Sequence, residues 1–562
     1  MVGVAGLEVP PHPKTLARQR RRRRLLRGGL AVGAVIAIAA GALGWQEIAE
    51  RRSETALQKR WRCPQVAALA TADYALSRPG GRFGDQCLGW IITADHPFGS
   101  TDPTVNEAIS RIVAENKRVD DRAAGGVPVV RVAVLSPMTS GDGSAMGPRE
   151  IAHALWGAHA AQVAANGDRS RAHGLRDPSP LVQLVLANSG LDQGAWDRLH
   201  TPGPNDQADW PGVAGQLVAL SQDRQRPLVA VTGMGISVPD TRLAAGALGA
   251  KGLASIGAVV SADDMTAESF FKVSPSNQQY AAALAAAIAA AKKAGAPMER
   301  GFLVFDRNPD DNYVQRLKEA LTTQFDAAYR ITDHSVAFTG SKPPRRGQPH
   351  DFAHVVDAIC RNRPDIVFYA GRDRDLGPLV AALADRGACQ NPIRKFVIAT
   401  GATGLTLTEK AADEAQLGVL DASSTDPDGW PAGQAGTPAY YGRFHNLMTA
   451  NLRVPAARLR DGYALMHHDA VAAAVWATRR AMEDRAAAAA GPPSPQETLN
   501  KMFADDTLAM PTASGGIYFS ELSQAGLWPR LKPVPVLKVG QYARRLATGS
   551  VYLTPGPAVP KS

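Results

Sequence analysis

Four short polar runs follow apolar, β-branched segments in this chain: Ser136 to Ser144, Gly233 to Ser237, Ser261 to Asp264 and Arg372 to Asp375. Hydroxyls and backbone amides at such positions can hold a carboxylate without a fully opposing charge, because helix starts present unbonded N–H groups. Asp263 offers the opposite chemistry, a carboxylate for an ammonium group. Reactive constellations are missing. The sequence has no GxxxxGK[ST], no HExxH and no GxSxG, and Gly235-Ile236-Ser237-Val238-Pro239 lacks the second glycine of a nucleophile elbow. Gly233-Met234-Gly235 lacks the third glycine of a dinucleotide fingerprint and reads as a tight strand-to-loop turn. His467, His468 and Asp469 sit in a helical pattern where neighbours point about 100° apart, so they read as core packing and not as a metal site. Asp310 and Asp311 read as the polar start of a helix, where acidic groups meet the positive end of the dipole. The chemistry expected is binding without catalysis, with no cofactor and no metal.

These loops need elements to hold them. From Val129 the chain alternates apolar strands with helices: VVRVAVLSP, REIAHALWGAHAAQVAAN, LVQLVLANSG, VAGQLVALSQD and PLVAVTGMG, then a helix through TRLAAGALGA and a strand through LASIGAVVS. The pattern restarts at NQQYAAALAAAIAAAKKAG and runs through GFLVFD, NYVQRLKEALTTQF, SVAFTG, FAHVVDAICRN, DIVFYAG, LGPLVAALADRG and KFVIATG. Continuous apolar strands between helices predict parallel sheets covered on both faces. Two such lobes are the economical reading, with loops at the carboxyl ends of the strands, where open α/β sheets bind ligands. LGVLDASS adds a strand, long helices are expected at Thr437 to Asn451 and Asp461 to Met482, and GGIYFSEL with VPVLKVG reads as a closing hairpin-like pair.

The 562 residues carry a net charge of +10, but residues 1–27 hold Lys14 and seven arginines against Glu8, which is +7 and leaves +3 for the rest. The charge therefore marks a cytoplasmic flank, and no nucleic-acid partner is expected. Gly28 to Trp45 is an uncharged run directly after that flank. The positive-inside bias gives an N-terminus-in, single-pass signal anchor with the bulk outside the membrane. Cleavage as a signal peptide near Ala37-Ile38-Ala39 or Ala40-Gly41-Ala42, and hence secretion, stays open. Cys63, Cys87, Cys360 and Cys389 all lie on the outer side, where thiols oxidise. Three pairings exist; the local ones, Cys63 with Cys87 and Cys360 with Cys389, are expected. Absence of CxxC argues against zinc.

In collinear order, VRVAVLSPMTSG, VTGMGISVPDT, VVSADDM, FFKVSPSNQQYAAALA, FLVFDRNPDDNYVQRLKEAL, DIVFYAGRDRDLGPLVAAL and GGIYFSELSQAG resemble the type I periplasmic binding proteins, in particular the branched-chain amino-acid-type substrate-binding proteins of ABC transporters. The resemblance covers about residues 128–540 and implies two doubly wound lobes joined by a hinge. The expected division is a basic tail (1–27), the anchor (28–45), a stalk or cap (46–127), lobe 1 (128–268 and 402–510), lobe 2 (269–401 and 511–540) and a C-terminal tail (541–562). It further implies a ligand held by Ser237 and by Ser261-Ala262-Asp263, and covered by Tyr313, with Arg372 completing the set. Asp263 departs from the family's neutral hydroxyl, which argues against an ordinary branched-chain amino acid. The implied function is capture of a small polar ligand, an amino acid or related metabolite, for an ABC permease. The anchor and stalk leave a second function open, a tethered ligand sensor that signals to a partner without transport.

Overall fold

A computed structural model describes residues 74–77 and 87–555, except 97, 99, 101, 140–145, 191–211, 341–351, 386–394, 403, 404, 406, 435, 486–490, 504–508 and 520–527. The expected anchor at 28–45 and its basic flank lie outside the described residues. Among the described residues no helix is long and apolar enough to cross a membrane. Cys63–Ser562 forms one compact unit.

The first lobe is laid down by β1 (Tyr74–Ser77), β2 (Leu88–Ile91), α1 (Pro103–Ala123), β3 (Val129–Ser136), α2 (Pro148–Asn166), β4 (Leu181–Asn188), α3 (Val213–Ser221), β5 (Leu228–Gly233), α4 (Pro239–Gly249), β6 (Ala254–Gly257) and β7 (Phe270–Lys272). Its seven strands run in the order β1-β2-β4-β3-β5-β6-β7. From β4 to β7 all pairings are parallel, whereas β2 joins β4 antiparallel. Alternate residues of β3 serve two cores: Val130, Val132 and Val134 face α1 and α2, while Ala133 and Leu135 face α3 and α4. Residues 74–123 were expected to stand apart as a stalk. Instead β1 and β2 extend the sheet, and α1 buries Val105, Ile109 and Ile112 against it.

The second lobe follows with α5 (Asn277–Lys293), β8 (Gly301–Asp306), α6 (Asn312–Tyr329), β9 (Ser335–Phe338), α7 (Ala353–Asn362), β10 (Ile366–Ala370), α8 (Asp373–Ala384), β11 (Val397–Ala402), α9 (Glu409–Glu414) and β12 (Gly418–Ser423). The chain then returns to the first lobe as α10 (Tyr441–Asn446), α11 (Tyr463–Glu483), α12 (Pro495–Met502), β13 (Met510–Thr512) and β14 (Gly515–Ile517), whose apolar residues join the α1/α2 core. A third crossing leads back through β15 (Pro533–Val534) and β16 (Val536–Val539) to α13 (Gln541–Arg544) and β17 (Tyr552–Leu553). The second sheet reads β16-β12-β11-β10-β8-β9, parallel except for β16 against β12. Three boundaries therefore move. Residues 418–423 belong with the second sheet, 510–519 pack with the first lobe, and 541–553, expected as a flexible tail, join the second-lobe core through Ala543, Leu546 and Tyr552. GGIYF and VPVLKVG do not pair with each other; β14 pairs with β13, and β16 with β12. The reason is Asp469 on α11, which accepts the Ala513 and Ser514 amides at 2.9 Å each and so fastens the β13–β14 turn to the first lobe.

Helix starts follow their sequence signals. Asp102 accepts the Thr104 amide at 2.8 Å ahead of Pro103, and Ser276 with Gln279 forms a reciprocal capping box. Cys87 and Cys360 are disulfide-bonded. Cys63 and Cys389, their expected partners, lie outside the described residues.

Candidate functional site

Strand register sets where the loops leave each sheet. Ser136 pairs with Asn188, Leu135 with Gly233 and Gly233 with Gly257, so the carboxyl ends of β3 to β6 form one edge. In the second lobe Asp306 pairs with Phe338 and Ala402 with Ser423, which forms the matching edge. Gly233, Met234 and Gly235 have φ of 85°, 60° and 63°, a left-handed turn that sends Ser237 back over the sheet edge.

The sequence-predicted residues meet, yet most are committed to one another. Ser237 Oγ accepts the amides of Ser261 (3.1 Å) and Ala262 (3.2 Å), which clips the loops after β5 and β6 together. The Ser261 carbonyl accepts the Asn277 amide at 2.8 Å, and the Asn277 side-chain amide donates to the Tyr313 carbonyl at 2.9 Å. Tyr313 Oη donates to the Gly401 carbonyl. Arg372 lies over the Tyr313 ring, 4.9 Å from its centroid, and forms a two-pronged pair with Asp311 at 2.7 and 2.8 Å. Burial alone would lower the Arg372 pKa, but the Asp311 charge and hydrogen bond raise it above its ordinary value. Asp311 also caps α6, the polar helix start expected from sequence.

Asp263 is the exception. Its Oδ2 is buried without a hydrogen-bond partner, and burial pushes its carboxyl up to about 6 against the pull of Ser276 and the Gln278 amide. Lys272 on β7 is fully buried; its ammonium sits 4.7 Å from the centroids of Phe270 and Trp528. Burial drops Lys272 to about 7, and the Asp263 charge opposes that fall. Next in the chain, Asp264 bridges the lobes: its Oδ2 accepts from Asn312 Nδ2 at 2.7 Å and pairs with Arg316 at 3.1 Å. His467 donates from Nδ1 to the Tyr463 carbonyl, whereas His468 turns to Asp469 at 2.9 Å. The three do not converge, in keeping with core packing.

An open cavity of about 1170 Å³ is walled by both lobes. Arg149, His153 and Asp461 line it from the first lobe; Leu405, Leu407, Thr408, Glu409 and Val534 to Val539 line it from the second. None of Ser237, Ser261, Ala262, Asp263, Tyr313 or Arg372 is in its wall. His153 and Asp461 were missed by sequence reasoning because 308 residues separate them, and only the i, i+4 spacing of Arg149 and His153 on α2 was visible. Tyr463, half-buried just beyond Asp461, feels the charges of Glu150 and Asp461 from its own lobe and of Arg372 and Arg374 from the other, so this face is where the lobes meet.

No protein-family model matches the chain, and no curated protein does. Solved structures are similar to it. An amino acid ABC transporter substrate-binding protein from Pseudomonas fluorescens Pf-5 aligns with a TM-score of 0.50 and 13% identity, over 77% of this chain and 96% of the other. The leucine binding protein LivK of Thermotoga maritima MSB8 gives 0.48 and 16%, over 76% and 97%. The branched-chain amino acid transporter substrate binding protein LivJ of Streptococcus pneumoniae, in complex with isoleucine, gives 0.48 and 13%, over 76% and 99%. These neighbours are ABC-transporter substrate-binding proteins, and the Pseudomonas likeness, together with two parallel-dominated sheets linked by three crossings, gives this chain the two-lobe type I periplasmic binding protein fold.

Proposed function

We propose that the protein is an extracytoplasmic solute-binding protein, tied to the membrane by residues 28–45, that captures a small polar metabolite between its lobes and hands it to an ABC permease. The observation that carries this reading is the 1170 Å³ cavity walled by both lobes, because a ligand there touches both and favours their closure. The three crossings supply the hinge, and the Asp264 contacts to Asn312 and Arg316 are interlobe bonds that closure makes and opening breaks. The permease is proposed on the ground that the Pseudomonas neighbour serves an amino acid ABC transporter. In this reading Ser237, Ser261, Ala262, Tyr313 and Arg372 form the hydrogen-bonded floor between the lobes, and Asp263 is the one of the six that keeps a buried polar atom without a partner.

Native mass spectrometry of the purified full chain tests the proposal. A small molecule that co-purifies at one per chain and leaves on denaturation is the expected result. A bare chain that also shows no thermal stabilisation by amino acids, organic acids, polyamines or short peptides contradicts it.

A further inference from the structure

We propose that Arg149 and His153 form the recognition element of this cavity and that its ligand is a small hydroxy acid, whose carboxylate meets Arg149 and whose hydroxyl donates to His153. The inference rests on reading the cavity as the ligand site. The two side chains stand one turn apart on α2 and so share a face. His153 is 6% exposed and Asp461 7%, and His153 Nδ1 lies 2.6 Å from Asp461 Oδ2. A carboxylate only accepts, so Nδ1 carries a proton, and whenever the ring holds a single proton Nε2 is an acceptor. That Nε2 makes no hydrogen bond among the described residues, and His153 lines the cavity. Both oxygens of Asp461 are engaged, since the other accepts the Tyr463 amide at 3.2 Å.

The other charged groups on the wall make hydrogen bonds or ion pairs within the protein. Arg460 is paired twice with Asp428, at 2.6 and 2.9 Å; Arg544 pairs with Glu409; and Lys538 donates to the Leu546 carbonyl at 2.9 Å. Asp426 accepts the Asp428 and Gly429 amides. Arg149 differs: its side chain is 56% exposed, and among the described residues its nearest carboxylate, Asp461 Oδ2, is 3.9 Å away and already bonded to His153. Among the described residues the wall thus presents Arg149, a loosely held cation, beside the buried imidazole of His153. A carboxylate with a neighbouring hydroxyl complements both groups, and the planar guanidinium suits two-pronged carboxylate binding.

Isothermal titration of the full chain with 2-hydroxyisocaproate, isocaproate and 2-hydroxyisocaproamide separates the two contacts. The hydroxy acid is expected to bind at least tenfold tighter than either relative. Arg149→Gln should abolish the preference over the amide, and His153→Phe the preference over isocaproate. Because Arg149 is half exposed, its variant leaves the fold intact even where the His153 variant does not. Equal binding of acid and amide, or Arg149→Gln leaving the acid's affinity within twofold, overturns the proposal. So does a co-purifying ligand without a carboxylate, and in that case capture between the lobes still stands. If none of the three binds and nothing co-purifies, both readings fall together.

Discussion

Asp263 shows how a single side chain can be legible in type and illegible in state. Its position after an apolar strand marked it from the sequence, but only the fold reveals a carboxylate whose outer oxygen is buried without a partner. The folded carboxyl, at about 6, holds its proton more tightly than the ordinary value of 3.8. Its contribution to stability is therefore full at low pH and is lost as pH rises through 6. Asp263→Asn removes the penalty of burying charge. The variant is expected to be more stable than the parent at pH 8, by about 1–3 kcal/mol in urea unfolding, with the gap closing at pH 4. A variant less stable at pH 8 would mean that attraction to buried Lys272 outweighs desolvation. The neighbouring hydroxyls were expected to hold a ligand, yet Ser237 is occupied by the two amides it clips. Sequence cannot separate a hydroxyl waiting for ligand from one satisfied by the next loop, because both follow a strand and precede a helix.

At the scale of elements the alternation of strand and helix was plain, since period and length distinguish the two wherever both faces of a sheet are covered. Pairing partners over long distances were not. Nothing in VPVLKVG says that it lies antiparallel to β12 and not beside GGIYF; Asp469 decides this from another helix. The α2–α11 contact is a second case. Both helices are rich in alanine, which reads as weak amphipathicity, but the small residues allow close approach. A Cβ on Gly157 would stand 1.9 Å from the Ala464 carbonyl oxygen, with backbone on the far side and no flexible side chain to yield. Gly157→Ala is expected to cost about 2 kcal/mol or more by chemical denaturation, because the helices must separate. The same separation moves His153, one turn earlier on α2, away from Asp461, just ahead of α11. Unchanged stability would show that the helices can slide apart without loss.

For the molecule as a whole, collinear fragments from Val129 onward carried the two-lobe expectation, and the sheets and crossings bear it out. The segment before Val129 could not be read in the same way: a four-residue strand and a helix need the rest of the sheet to define their place. The cavity wall was hidden for a related reason, as it is assembled from α2, the segment just ahead of α11, the loop after β11 and the third crossing, which are distant in sequence. Capture between lobes makes one demand that neither lobe alone can meet. Hydrogen–deuterium exchange on the full chain, with and without the organic acid that most raises its unfolding temperature, examines it directly. The expected result is slowed exchange on both walls, at residues 149–153 and 457–461 of the first lobe and at 407–409 and 534–539 of the second. Protection confined to one lobe, or none at saturating ligand, would contradict capture between the lobes.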